Sequence, residues 1–320
     1  MSTFSRRKFL TTAGLSTVSA IALNACTGGG EAPKTTDATT KASPSATATS
    51  TPKVSAADAP ETTKAKLGFI ALTDSAPLII AKEKGLFEKY GMKDVEVLKQ
   101  ASWGTTRDNI VLGSEAGGID GAHILSPMPY LIAEGKITNG NKVPMYILAR
   151  LNTNGQAMSI ANEFKELKIT LKSDTLKDSF AKIKSGGKEV KCAVTFPGGN
   201  HDLWMRYWLA SNGIDPNTDV STIVVPPPQM VANMKAGNMQ AFCVGEPWNA
   251  RLVAQNVGYT AFITGEFWKD HPEKAFTMRG DWVDKNPKAA KAILAAVLEA
   301  QVWCETVSYT HLTLPTNREV

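Results

Sequence analysis

The sequence predicts an α/β protein with two lobes and a ligand cleft between them. Short runs rich in β-branched residues alternate with helical segments from Lys66 onward, which is typical of a parallel sheet covered by helices. The alternation resumes after a crossover near Arg150, and no internal repeat is evident. The chain has 320 residues, 43% of them hydrophobic, enough for one large or two modest domains with a real core.

The first half of the chain is expected to form one lobe. Pro77 suits the first position of a helix, and Gly91 suits its end. A second helix is expected to start near Trp103. The predicted strands are 66–72, 95–98, 119–122 and 144–151, and the predicted helices are 77–90, the one from about 103, and 129–134.

In the second half, residues 196–204 (FPGGNHDLW) suggest the end of a strand, a glycine turn and the start of a helix. Asn200 is a good N-cap residue, which puts His201 in the first turn, and Gly213 suits the C′ position. A helix N-terminus offers unpaired N–H groups and favours an anion. The stretch is therefore either part of an anion-binding site or simply the capped start of a helix.

The other expected elements of the second half continue the alternation of strands and helices. Met230, Val231 and Met234 line one face of a short helix that ends at Gly237. The remaining predictions are helices over 164–185, from 246–248 and over 288–303, strands over 190–196, 221–225 and 239–244, and an extended piece at 276–278.

Three turns are expected to lie where a ligand would bind. They comprise residues 74–77, 100–106 and 197–201, and each follows a predicted strand. In sheets of this kind, ligands lie beyond the carboxyl ends of the strands.

Charge and cysteine content exclude several classes of function. The formal charge of +5 falls to +2 without the basic residues Arg6, Arg7 and Lys8, which argues against a nucleic-acid surface. Apart from Cys26, the cysteines are odd in number and have no CxxC spacing. We therefore expect free thiols, with no disulfide framework, metal site or cofactor.

The N-terminus suggests export. SRRKFL at 5–10 is similar to a twin-arginine signal, an apolar stretch follows, and LNAC at 23–26 is similar to a lipobox. We expect residues 1–26 to be this signal, with lipid attached to Cys26. Residues 27–63 are mainly Thr, Ser, Ala, Pro and Gly, and we expect them to form a flexible tether.

Five stretches carry a resemblance to a known family: residues 76–81 (APLIIA), 85–91 (GLFEKYG), 119–121 (IDG), 136–145 (KITNGNKVPM) and 281–287 (DWVDKNP). They resemble the nitrate-binding lipoproteins of cyanobacterial nitrate/nitrite ABC transporters, over about 64–305. The resemblance implies a type II periplasmic-binding-protein fold. It implies lobe I at 64–150, lobe II at 151–265 and an incomplete return segment to lobe I at 266–307. Residues 308–320 have no counterpart and resemble translated adapter or vector sequence.

The resemblance also implies a binding site. A tryptophan, a glutamine, a histidine and a lysine hold the anion in this family, and they correspond to Trp103, Gln156, His201 and Lys274. The sister family of bicarbonate-binding proteins has a glutamine and an acidic residue in place of the last two.

The chemistry of nitrate agrees with this donor set. Nitrate carries one negative charge and cannot donate a hydrogen bond, so we expect a site with donors only and one positive charge. Bicarbonate would need an acceptor for its own O–H. A carboxylate should not help, so Glu246 is left out, and His123 and His271 are taken as structural.

We therefore expect the binding component of an ABC importer, anchored to the bilayer on the periplasmic face of the inner membrane. It would pass nitrate, with nitrite as a second candidate, to the permease and its ATPase. The nearest alternative is a bicarbonate-binding protein. An enzyme is disfavoured because the chain lacks GxSxG, HExxH and P-loop motifs and shows no paired carboxylates at a plausible site. A cytoplasmic sensor domain is disfavoured by the leader.

Overall fold

The structure is a computed structural model that describes residues 58–313, with side chains up to residue 307. The expected export signal, the lipid attachment at Cys26, most of the expected tether and the last seven residues lie outside this range. The described residues belong to one compact unit. Among them, no helix is both long and apolar enough to cross a membrane.

Ten strands are present in residues 58–313, and they form two five-stranded sheets. The strands are β1 (Lys64–Phe69), β2 (Asp94–Lys99), β3 (Gly121–Leu125), β4 (Met145–Thr153), β5 (Gln156–Ala161), β6 (Lys191–Val194), β7 (Ser221–Val224), β8 (Ala241–Gly245), β9 (Gly258–Ile263) and β10 (Pro272–Arg279).

The same residues contain ten α-helices, joined in places by short 3-10 turns. The helices are α1 (Ala76–Glu83), α2 (Leu86–Lys89), α3 (Trp103–Leu112), α4 (Met128–Ala133), α5 (Asp174–Ser185), α6 (Asn200–Ser211), α7 (Met230–Lys235), α8 (Trp248–Ala254), α9 (Gly280–Lys285) and α10 (Pro287–Thr313).

Sheet 1 has the order β2-β1-β3-β10-β4. Strand β1 runs parallel to β2 and β3, whereas β10 runs antiparallel to both β3 and β4. The expectation of an all-parallel sheet is therefore wrong. A strand from the end of the chain lies between two strands from its first half, and local sequence patterns do not predict such a long-range pairing.

Sheet 2 has the order β7-β6-β8-β5-β9. Strand β6 is parallel to β7 and β8, and β5 is antiparallel to β8 and β9. Strands β5 and β9 were not predicted. Strand β5 (QAMSIA) contains a single β-branched residue, so local propensity gave little signal for it.

Several local predictions are confirmed and two helix predictions are wrong. Pro77 lies in the first turn of α1, and Met230, Val231 and Met234 are the buried face of α7. The single helix expected over 77–90 is instead two helices, because α1 ends at Glu83. Gly85 then takes a left-handed conformation (φ 65°) that favours glycine. The helix expected over 164–185 is a 3-10 turn at Asn162–Leu167 followed by α5, which begins only at Asp174.

The two sheets pack against each other through shared apolar side chains. One buried cluster contains Ile70 and Ile124 near sheet 1 together with Phe242 and Val244 of sheet 2. The chain passes between the sheets twice, from β4 to β5 and from β9 to β10. This packing brings loops from both sheets to one place.

Candidate functional site

A group of polar side chains is buried where the two sheets meet. We call it the buried polar cluster; each side chain in it is at most 7% exposed. Its members are Asp74, Trp103, His123, Gln156, Thr195, His201, Glu273 and Lys274. Uncompensated burial of so many polar groups is costly, so their contacts with one another matter.

Strand β10 contributes two consecutive residues, Glu273 and Lys274. Consecutive strand residues normally point to opposite faces of a sheet. Here the pairing with β4 shifts on both sides of Lys274, and the Lys274 N–H donates to the Asn152 side chain at 3.0 Å. Both side chains are consequently fully buried in the same cluster.

Lys274 is the central cation of the cluster. Its Nζ lies 3.0 Å from Asp74 Oδ2, donates to Glu273 Oε1, and lies 5.6 Å from the centre of the Trp103 ring. Burial lowers the pKa of Lys274, but attraction to the two carboxylates outweighs it, so the pKa is raised above its usual value. The ammonium group therefore stays charged.

Asp74 follows β1 and connects Lys274 to His123. The Asp74 carboxylate accepts from His123 Nε2 at 2.7 Å, and the His123 ring lies 5.5 Å from that of Trp103. Burial raises the pKa of Asp74, but Lys274 and His123 hold it well below its usual range. Burial lowers the pKa of His123 despite Asp74.

Glu273 is the second carboxylate. Gln156 Nε2 donates to its Oε2, and Lys274 donates to its Oε1. Burial raises its pKa to about 7, and the charge of Asp74 adds to this while Lys274 opposes it. The Glu273 side chain can therefore gain or lose a proton near neutral pH.

His201 faces Glu273 from the first turn of α6. Its Nδ1 lies 2.5 Å from Thr195 Oγ1, and its Nε2 lies 3.8 Å from Glu273 Oε1 without a hydrogen-bond partner. Burial and the Lys274 charge hold the pKa of His201 well below its usual value, so the ring is neutral. When the Thr195 hydroxyl donates to Nδ1, Nε2 carries the hydrogen and can donate.

Trp103 is the first residue of α3. Ser102 caps this helix, its side chain accepting from the Thr105 N–H at 3.1 Å. The Trp103 ring is fully buried, and its Nε1 is a buried donor without a partner. Trp103 and His201 thus each offer an unused buried ring nitrogen, beside a lysine.

The structure brings all four of the predicted residues into the cluster, together with the three turns predicted to lie at a ligand edge. Their role as ligand contacts stays a prediction. Gln156, which has no distinctive sequence context, is the first residue of β5, and its side chain is 1% exposed.

The expectation of a donor-only site without paired carboxylates is wrong, because Asp74 and Glu273 both contact Lys274. Asp74 lies in a turn that the sequence had singled out. No sequence feature had indicated Glu273, and the usual alternation of side chains along a strand would place it on the opposite face from Lys274. His123, expected to be structural, also belongs to the cluster, whereas His271 is paired with Thr264 at 2.8 Å.

The start of α6 also differs from the prediction. Gly199, not Asn200, is the N-cap residue, and the Asn200 side chain donates to the Pro272 carbonyl at 3.0 Å. The Asp202 carboxylate accepts from the Gly198 N–H at 2.8 Å. Gly213 has the left-handed conformation expected of a C′ residue.

Metal binding has no candidate within residues 58–313, where no three His, Cys, Asp or Glu side chains form a group that could hold an ion. The buried polar cluster fits a different chemistry. One lysine, the unused ring N–H groups of Trp103 and His201 and an amide can together hold a small anion. His123 Nδ1 also has no partner, but it is an acceptor when Nε2 donates to Asp74.

Comparison with known proteins gives a family and several relatives. The model of the NMT1-like family matches residues 58–313. The nitrate/nitrite binding protein NrtA of Synechococcus elongatus is 61% identical over 306 residues, which cover 95% of this chain and 68% of that protein. A bicarbonate-binding protein, CmpA, of Synechococcus is 47% identical over 241 residues, covering 75% of this chain and 53% of the relative.

A solved structure is also similar. The crystal structure of the periplasmic nitrate-binding protein NrtA from Synechocystis superposes with a TM-score of 0.75 and 67% sequence identity. The match covers 77% of this chain and 63% of that chain. The chain thus spans about two thirds of the length of its nitrate-binding relatives.

Proposed function

Because the chain belongs to the NMT1-like family, we propose that it is the solute-binding component of an ABC importer and captures nitrate outside the cytoplasm. Nitrite is the second candidate ligand, since the relatives are named for both anions. The binding residues in this proposal are Trp103, Gln156, His201 and Lys274.

One observation carries the proposal. Trp103 on α3 and His201 on α6 lie beside different sheets, and each has a buried ring nitrogen without a partner in the same cluster as the Lys274 ammonium group. A planar oxyanion among these groups would give every one of them a hydrogen-bond or charge partner. Each missing donor should weaken binding by about 1–3 kcal/mol.

Bicarbonate is the alternative to nitrate and nitrite because of one observation. An ionised Glu273 could accept the hydrogen bond that bicarbonate donates and nitrate cannot. Two features favour nitrate. The chain is more similar to the nitrate-binding relative than to the bicarbonate-binding one, and it keeps a histidine and a lysine where the bicarbonate branch is expected to differ.

The place of the protein in the cell is part of the proposal. The SRRKFL and LNAC motifs support twin-arginine export and a lipid anchor at Cys26 on the periplasmic face of the inner membrane. Residues 27–57 would then tether the folded part, which would deliver the anion to a permease and its ATPase. Radiolabelled fatty acid should label the wild-type chain but not Cys26→Ala.

Calorimetric titration of the full chain with nitrate, nitrite and bicarbonate tests the ligand. We expect saturable binding of nitrate that is at least tenfold tighter than that of bicarbonate. Tighter binding of bicarbonate would reverse the assignment, and binding of neither nitrate nor nitrite would refute the proposal.

Two substitutions test the site. Lys274→Gln removes the only cation of the cluster and should abolish measurable nitrate binding, while Lys235→Gln removes an exposed lysine and should not change it. His201→Gln keeps a donor of similar size and should weaken binding about tenfold. Circular dichroism of each variant checks that it has folded.

A further inference from the structure

The Glu273 carboxylate accepts hydrogen bonds from the same donors that a bound anion would need. The Lys274 ammonium group and the Gln156 amide both donate to its carboxylate, and His201 Nε2 lies 3.8 Å away. Three of the four residues proposed to bind nitrate therefore face the Glu273 carboxylate. An anion bound by Lys274 and Gln156 has to replace that carboxylate or share its donors.

The charges in the cluster make it unfavourable for an ionised Glu273 and a bound anion to share these donors. Lys274 supplies one positive charge and Asp74 one negative charge at 3.0 Å, while His201 is neutral. An ionised Glu273 brings the sum of these side chains to −1, and a monovalent anion would bring it to −2. A doubly negative group that is almost fully buried has a large desolvation cost without a compensating partner.

We propose that the anion replaces the Glu273 carboxylate at Lys274 and Gln156, and that Glu273 takes up one proton from solvent as the anion binds. The proton forms the O–H bond of the carboxyl group, which then donates to an anion oxygen. This inference rests on the proposed function, because the ligand is a monovalent oxyanion at the buried polar cluster.

The groups that face Glu273 leave it as the site of this proton exchange. The pKa values of Asp74 and His201 are held well below their usual ranges, and that of Lys274 is raised. Burial also lowers the pKa of His123, which is bonded to Asp74. Of these groups, Glu273, with a pKa of about 7, is the one placed to exchange a proton near neutral pH. The other titratable neighbours are Cys243 of β8, whose pKa burial raises well above its usual value, and His271, whose ring is paired with Thr264.

A proton count on the wild-type chain tests the proposal. Nitrate is titrated calorimetrically at pH 8 in two buffers of different ionisation enthalpy, phosphate and Tris. We expect uptake of close to one proton per nitrate and an affinity that falls about tenfold per pH unit above pH 8. Nitrate binding without proton uptake would overturn this inference alone. No nitrate binding between pH 6 and pH 9 would overturn the proposed function and the inference with it.

A matched pair of variants locates the proton. Glu273→Gln keeps the size of the side chain and a donor, so it should still bind nitrate but with no proton uptake and no pH dependence. Glu246→Gln removes a carboxylate that caps α8 outside the cluster, and its proton count should equal that of the wild type. Proton uptake that persists in a folded Glu273→Gln variant would refute the assignment to Glu273. The wild-type count decides the matter if that variant does not fold.

Discussion

At the residue scale, the main feature of the molecule is a buried lysine between two carboxylates of different character. Asp74 is also bound by His123 and remains ionised, whereas Glu273 is bound by the neutral Gln156 and has a raised pKa of about 7. Burial raises the pKa of both carboxylates. At Asp74 the attraction to Lys274 and His123 outweighs it, whereas at Glu273 the charge of Asp74 adds to the effect of burial and Lys274 only partly offsets it. One is a permanent counter-ion, and the other can change its charge.

Glu273 should make stability depend on pH. The pKa of Glu273 is about 7 in the folded chain and 4.5 for an ordinary glutamate, so the folded chain binds this proton more tightly than the unfolded chain does. The resulting stabilisation of the folded chain is fully present below pH 4.5 and is lost as pH rises through 7. Glu273→Gln removes this loss. Relative to the wild type, we expect the free energy of unfolding of the variant to rise by roughly 2–3 kcal/mol between pH 5 and pH 8, as measured by urea unfolding. A constant difference between the two proteins would contradict this.

Thr195 is expected to position His201 rather than touch the anion. Its hydroxyl group is the partner of His201 Nδ1, so Thr195→Val should leave the tautomer of the ring unfixed. We expect the affinity for nitrate to fall about fivefold, which corresponds to the loss of roughly 1 kcal/mol of binding free energy. Nitrogen NMR of the imidazole should show a mixture of tautomers.

Two controls accompany this variant. Thr195→Ser keeps the hydroxyl group and should restore both the affinity and the single tautomer. Thr222→Val makes the same change on the neighbouring strand β7, where the hydroxyl group has no partner, and should have little effect. Equal weakening by both valine variants would rule out the positioning role.

At the element scale, two features that depart from simple rules give the site its shape. The irregular pairing of β10 with β4 turns Glu273 and Lys274 toward the same cluster. The turn before α6 aims His201 inward, and Gly199 allows this because a Cβ atom there would lie 2.6 Å from Leu125 Cδ1. Backbone geometry therefore decides which side chains meet.

Asp202 should be important for the start of α6. Its carboxylate accepts from the Gly198 N–H and from Arg206 Nε, each at 2.8 Å. Asp202→Ala leaves the turn without this acceptor, and we expect the free energy of unfolding to fall by about 1–2 kcal/mol. Urea unfolding measures the change. Asp202→Asn keeps an acceptor and should lose less; an equal loss would indicate that charge, and not the hydrogen bond, matters.

At the scale of the whole molecule, the proposed site exists only where the two sheets are packed together. Trp103 lies beside sheet 1 and His201 beside sheet 2, and both side chains are fully buried. An ion can reach them only if the sheets separate, and the chain crosses between the sheets at just two places within residues 58–313. Binding is therefore expected to favour the closed arrangement over an open one.

Hydrogen bonds between the two halves should set how tightly the anion is held. Trp248 Nε1 on α8 donates to the Ala71 carbonyl after β1 at 3.0 Å. Trp248→Phe removes this bond and keeps most of the ring, so the closed arrangement should lose about 1 kcal/mol and nitrate affinity about fivefold. Calorimetric titration measures the affinity.

Trp208 provides a matched control for this prediction. Its Nε1 donates to the Thr170 carbonyl at 3.2 Å, and both residues belong to the half built on sheet 2. Trp208→Phe should therefore leave nitrate affinity unchanged. The same loss of affinity in both variants would contradict a role for the bond between the halves.

The sequence by itself determined the α/β class, most helices and the turns that contribute to the site. These features depend on periodicity, glycine and proline positions, and capping, all of which are local. The resemblance to a family added Gln156 and Lys274, which local context does not distinguish.

Only the tertiary structure decided that β10 lies between β3 and β4, and that Glu273 and Asp74 share Lys274. The physical reason is that strand partners and pKa values depend on groups far apart in the chain. Asp74 and Lys274 are 200 positions apart, and no local pattern encodes their 3.0 Å contact. The charge state of the site follows from that contact and from the burial around it.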